Sequence, residues 1–130
     1  SMLAVWKEWN LNDILKIGYE KGIVMSGVSA GAICWFDKGI TDSFAKKLEI
    51  IDCLGIVKGI ACPHYDEEKE REPFVIEIIK SQRIRSCICI EGNCALHIKN
   101  NINYRVINFG DKKKCIKIFE ENGKLIRKKF

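Results

Sequence analysis

Apolar positions recur at helical spacing through residues 3–21, "LAVWKEWNLNDILKIGYEK", where Leu3 falls with Trp6, and Leu11 with Leu15 and Tyr19. The stretch from Asn10 to Asn12 marks a break and a fresh N-cap, and Gly22 ends the helix. The pattern then shortens: "IVM" reads as a strand, "SGVSAG" as a turn and "AICWF" as the start of another helix. Ser29 therefore falls at a strand-to-helix corner.

Further on, "GIVKGIACPHY" is a strand leading into a loop. "DEEKEREPFVIEIIKSQ" is a helix whose acidic first turn complements the macrodipole, with Pro73 near its start. "IRSCICIEG" is a buried strand ending at Glu91 and Gly92, and "CALHI", "YRVINF", "KCIKIF" and "GKLIRKKF" are successive short strands and hairpins. Strands alternate with helices first, and then strands dominate. With 130 residues, 47% of them hydrophobic, and no repeat or linker, the chain fits one domain over residues 1–130.

Composition narrows the function classes. No apolar run approaches the roughly 20 residues that cross a bilayer, and the first residues lack the basic and apolar regions expected of a signal peptide. The expectation is a cytoplasmic protein with no membrane partner. Seven cysteines, an odd number at loose spacing, read as reduced thiols. Cys87, Cys89 and Cys94 lack the paired C-x2-C knuckles of a structural zinc site, so buried strand cysteines are expected and no metal. The net charge of +5 sits in the tail, where residues 99–130 hold ten Lys/Arg against three acids. Lys112, Lys113 and Lys114 lie between β-like runs with little aromatic interleaving, which predicts a solvated hairpin and no nucleic-acid partner.

The corner at Ser29 carries the chemistry. Gly27 and Gly31 flank the serine in G-x-S-x-G, where a sharp elbow excludes bulk two residues to either side. In that geometry the N–H of Ala30 donates to an oxyanion. A serine hydroxyl also needs a base, and only two histidines exist. His64 follows Pro63 at a strand end and is the stronger candidate, while His97 alternates within "CALHI" as an ordinary strand residue. The acid that orients the base is open among Asp42, Asp66 and Glu91 on position alone. Glu91 has the best context, because it ends a strand, whereas Asp66 also reads as an N-cap.

Together "GVSAGAICWF", "TDSF", "CPHYDEEKER" and "IEGNCALHI" resemble the peptidase E family of serine peptidases, also called the S51 or aspartyl dipeptidase family, which includes the cyanophycinases. The resemblance implies an α/β fold like class I glutamine amidotransferase domains: three layers, a mostly parallel sheet and helices on both faces. It implies a cofactor-free dipeptidase acting on short peptides, typically with N-terminal aspartate, through a triad at Ser29, His64 and Glu91. It places Arg71 at the substrate carboxylate, with Gly27 and Tyr65 also at the substrate. It further implies that this chain corresponds to the C-terminal part of the family, whose preceding half carries sheet strands and a glycine-rich loop of the oxyanion hole. A chain of this extent is expected to self-associate or pair with a complementing N-terminal chain that covers an open sheet edge. The alternative is a catalytically inactive truncated homologue acting as an assembly or binding module.

Overall fold

The computed structural model describes residues 2–44, 47–110 and 112–130. Its first helical stretch is two helices, α1 (Met2–Glu8) and α2 (Leu11–Glu20). Asn10 separates them with φ at 55°, a left-handed conformation that asparagine tolerates and a continuing helix cannot use. Gly22, with φ at 82°, follows α2 as its stop. The two helices bury no residue fully, and Trp6 meets Trp35 with ring centroids 6.5 Å apart.

Residues 23–27 form no strand, contrary to the expectation for "IVM". A strand exists only beside a hydrogen-bonding neighbour, and none of the described strands pairs with this segment. The helix expected from "AICWF" is also corrected. Helix α3 (Ala30–Ile33) makes a single turn, and the run continues as strand β1 (Phe36–Thr41). Sheet pairing outweighs local preference there, since Phe36 stands opposite Val57 in β3 (Val57–Cys62).

The later strands follow the sequence pattern, but the helix expected from Asp66 begins only at Arg71, with Glu72 the one acid in its first turn. Strand β2 (Glu49–Asp52), which the sequence pattern does not announce, pairs antiparallel with β1, and β3 lies parallel on its other side. Helix α4 (Arg71–Lys80) crosses to β4 (Ser86–Ile90), parallel to β3. Strands β5 (Cys94–Lys99) and β6 (Asn103–Asn108) form a separate hairpin. Strands β7 (Cys115–Glu121) and β8 (Lys124–Lys129) rejoin the main sheet, whose order is β2-β1-β3-β4-β7-β8.

The α/β class holds, but the sheet is mixed instead of mostly parallel. Only β1 with β3 and β3 with β4 run parallel, against three antiparallel pairings. The tight β7–β8 turn at Asn122–Gly123 permits only an antiparallel partner, whereas β3 to β4 has a helix to carry the return. Alternation along β4 divides the core. Cys87 and Cys89 face Val75, Ile78 and Ile79 of α4, while Ile88 faces Ile33, Phe36 and Ala61, with Leu96, Ile98 and Tyr104 of the β5–β6 hairpin packed against them. Helix α4 thus covers one face, and α3 with the hairpin covers the other. Because Cys62 and Cys89 are partners in adjacent parallel strands, the loops that follow them leave the sheet side by side.

Candidate active site

Ser29 opens α3 with φ 55° and ψ −119°, a backbone that costs a residue with a side chain of order 1–3 kcal/mol. The neighbouring turn enforces it. A Cβ on Gly27 would overlap the carbonyl group of Gly31, so only glycine fits before the corner. Gly31 departs from the expected pattern, since a Cβ there meets open space in this chain. The Ser29 carbonyl accepts from the N–H groups of Ala32 and Ile33, at 3.0 and 3.1 Å. Ala30 is the first residue of the turn, so its own N–H belongs to the end whose first donors have no intrahelical acceptor.

The partner comes from the loop after β3. His64 Nε2 lies 3.0 Å from Ser29 Oγ, across 35 residues of sequence. His64 itself has φ 52°, and its carbonyl accepts from the N–H groups of Glu67 and Glu68 at 3.1 and 3.3 Å. This turn folds Glu67 back beneath the ring, where its Oε2 lies 2.5 Å from Nδ1. A carboxylate can only accept at Nδ1, which assigns the proton to that nitrogen and leaves Nε2 free to accept from the serine hydroxyl. Serine, imidazole and carboxylate stand in a relay on an accessible surface, with the His64 side chain 31% exposed.

The acid expected at this position was Glu91, and the structure puts it elsewhere. Its Oε2 accepts from the Lys114 N–H at 2.9 Å, and its side chain pairs with the Lys114 ammonium at 3.9 Å. Asp66 also faces away from the imidazole: Oδ1 accepts from the Gly92 N–H at 2.8 Å and Oδ2 pairs with Lys113 at 2.5 Å. Asp42 lies 3.8 Å from the Arg71 guanidinium.

Arg71, which the resemblance implies at the substrate carboxylate, is turned into the core in this structure. It is 2% exposed, donating through Nε to Glu68 at 2.7 Å and through Nη1 to the Ile40 carbonyl at 3.3 Å. Burial opposes its charge, but the Glu68 carboxylate and the Cys62 sulfur together outweigh it and raise its pKa above the ordinary arginine value. Tyr65 is corrected likewise, because its ring packs in the core against α4 and β4 instead of lining the site. Lys113 and Lys114, expected on a solvated hairpin, are held by Asp66 and Glu91. His97 is an exposed strand residue opposite Arg105.

The thiols offer no rival nucleophile. Cys62 is two residues from His64, yet burial pushes its pKa up to about 12, and burial pushes Cys34 up to about 11. Cys87 and Cys89 are buried in β4, as the sequence led us to expect, whereas Cys94, expected to be buried too, is only half-buried at the start of β5.

Sequence reasoning missed Glu67. The available signal was its i,i+3 spacing from His64, which places two side chains on one face of a helical turn. Among "DEEKE" several carboxylates compete, and the left-handed backbone at His64 decides which one reaches the ring.

Residues 1–104 match the family profile of peptidase family S51. The chain is also 40% identical over 108 residues to a Bacillus subtilis (strain 168) protein described as "Uncharacterized peptidase YgaJ". That alignment takes in 83% of this chain and 46% of the relative, so the chain spans about half the length of the curated relative it matches.

Proposed function

The chain belongs to peptidase family S51, and from that premise we propose that it carries the catalytic relay of a serine peptidase acting on short peptides. The observation that carries the reading is the contact of His64 with Ser29 on one ring nitrogen and with Glu67 on the other. His64 Nε2 takes the Ser29 proton as Oγ attacks the scissile carbonyl. The Ala30 N–H donates to the developing oxyanion. The imidazolium, held in place by Glu67, then protonates the leaving amine. A water molecule, deprotonated by the same Nε2, releases the acyl group and restores Ser29.

A preference for dipeptides beginning with aspartate follows from the family resemblance, and Arg71, turned into the core against Ile40, does not supply it. The reaction as derived draws on side chains and main-chain donors alone and is assigned to the cytoplasm. Among the described residues, no helix is long and apolar enough to cross a membrane.

A second reading has its own observation. Trp9, Val24 and Val28 are 76%, 85% and 83% exposed, and Val24 lies in the unpaired segment before the elbow. This favours an assembly or binding module in which self-association or a complementing chain covers that face.

Release of free aspartate from a dipeptide beginning with Asp, set against one beginning with Ala, tests the first reading, alongside fluorophosphonate labelling. We expect turnover and labelling that both vanish in Ser29→Ala. A folded protein with neither, which self-associates in light scattering, would establish the second reading instead.

A further inference from the structure

We propose that Gly92 is a positioning residue whose missing side chain forms the recess that holds Glu67 on His64. The inference rests on the relay described above but begins from a different observation. A Cβ on Gly92 would lie 2.5 Å from the Glu67 carboxyl carbon and 3.0 Å from its Cγ, and closer still to Oε1. The other carboxylate oxygen, Oε2, is the one that meets His64 Nδ1. Glu67 therefore stands between an imidazole on one side and bare backbone on the other.

Backbone conformation does not account for this glycine. Five glycines of the chain have positive φ, namely Gly22, Gly55, Gly59, Gly110 and Gly123, and Gly92 is not among them. Its residue type is set by space alone. The recess is also fixed in place. The Gly92 N–H donates to Asp66 at 2.8 Å, the Tyr65 N–H donates to the Ile90 carbonyl at 3.1 Å, and Glu91 accepts from the Lys114 N–H at 2.9 Å. The first two bonds tie the loop after β4 to the turn after β3, and the third ties it to the chain entering β7. Asp66 and Glu91, two of the three candidate carboxylates that do not meet the imidazole, are fasteners of the loop that backs the one that does.

A methyl group at residue 92 has one cheap way to fit. The Glu67 side chain is 47% exposed, so its carboxylate can swing toward water while the backbone stays where it is. Gly92→Ala should thus fold normally and still lose the His64–Glu67 contact.

The test reads the His64 ring directly. With Glu67 accepting at Nδ1, the neutral imidazole carries its proton there, and the ring 15N shifts report that tautomer whether or not the chain turns over substrate. A His97→Gln background leaves one histidine to observe. We expect the Nδ1–H tautomer in the parent, and a shift toward Nε2–H in Gly92→Ala and Glu67→Ala alike, with the Gly92→Ala melting temperature unchanged. In the Glu67→Ala background, Gly92→Ala should change the spectrum no further. Fluorophosphonate labelling of Ser29 should fall together with the tautomer. An unaltered tautomer in Gly92→Ala overturns the inference, as does a shift that persists when Glu67 is already gone. Absence of peptidase turnover with the tautomer shift intact refutes the enzymatic reading and leaves the positioning role standing.

Discussion

Ser29 and His64 meet at 3.0 Å through two residues that both hold a positive φ, 55° and 52°. Each sits where the chain leaves one element for another, and each backbone is strained so that its side chain turns toward the other. In the proposed reaction the serine is activated through that meeting. Fluorophosphonate labelling of Ser29 should therefore drop by about 10²- to 10⁴-fold in His64→Ala, the range expected for loss of a general base, with the melting temperature preserved. Labelling at the parent rate would mean that His64 does not activate the hydroxyl.

The carboxylates are separable by the same assay. Glu67→Ala removes the acceptor at Nδ1 and should slow labelling by roughly 10²-fold or more. Glu91→Gln leaves the imidazole untouched, since Glu91 faces Lys114, and should change the rate by no more than about 3-fold. Asp42→Asn loosens only an exposed pairing with Arg71. If Glu91→Gln or Asp42→Asn proved the slow variant, the acid would have to be reassigned.

Much of this arrangement is legible in the sequence, and the illegible parts share a cause. Ser29 and His64 stand out because the chemistry requires rare residues in tight turns: a serine between glycines and one of two histidines after a proline. The strands from β3 onward show their alternation, and Asn122–Gly123 announces the last turn. Glu67, β1 and the segment at 23–27 are different, because each is decided by a distant neighbour. Strand β1 exists because β3 lies beside it, and "IVM" lacks a strand because no described strand lies beside it. Glu91 outranks Glu67 in one dimension, as strand ends feed sites in parallel sheets. The steric recess at Gly92 and the backbone of His64 reverse that order.

The two glycines of the elbow should respond differently to the same substitution. Gly27→Ala drives a methyl group into the Gly31 carbonyl and must open the turn, which should abolish labelling of Ser29. Gly31→Ala meets no atom of this chain and should leave labelling within about 2-fold, with a gain in helix propensity of up to ~1 kcal/mol. Equal losses in both variants would show that the elbow's environment differs from the one described.

Arg71 should behave as a residue of the core. Replacing it with Met leaves the Ile40 carbonyl without its donor and Glu68 and Asp42 without their cation. Both carboxylates remain partly exposed to water, so the expected cost is about 2–4 kcal/mol, below that of a fully buried charge left alone. Urea unfolding of Arg71→Met measures it. A parent-like midpoint combined with altered selectivity for the peptide's first residue would return Arg71 to the substrate.

Asp66 makes stability depend on pH in a direction the structure fixes. Partial burial raises its pKa, but the Lys113 ammonium and the Gly92 N–H favour the carboxylate more strongly, and together they hold it below the ordinary 3.8. The unfolded chain, lacking both partners, takes up the proton first as pH falls. The stabilisation is therefore fully present above the ordinary value and lost as pH drops through the lower folded one. Asp37 is depressed as well, by the Gly59 N–H above all, so the informative quantity is the difference between the parent and Asp66→Asn. That difference should be about 1–2 kcal/mol at neutral pH and shrink toward zero in acid, once both proteins carry an uncharged group at residue 66. Urea midpoints taken from about pH 7 down to pH 2.5 give the curve. A difference that stays constant across the range would mean that Asp66 holds the Gly92 loop by hydrogen bonding without its charge.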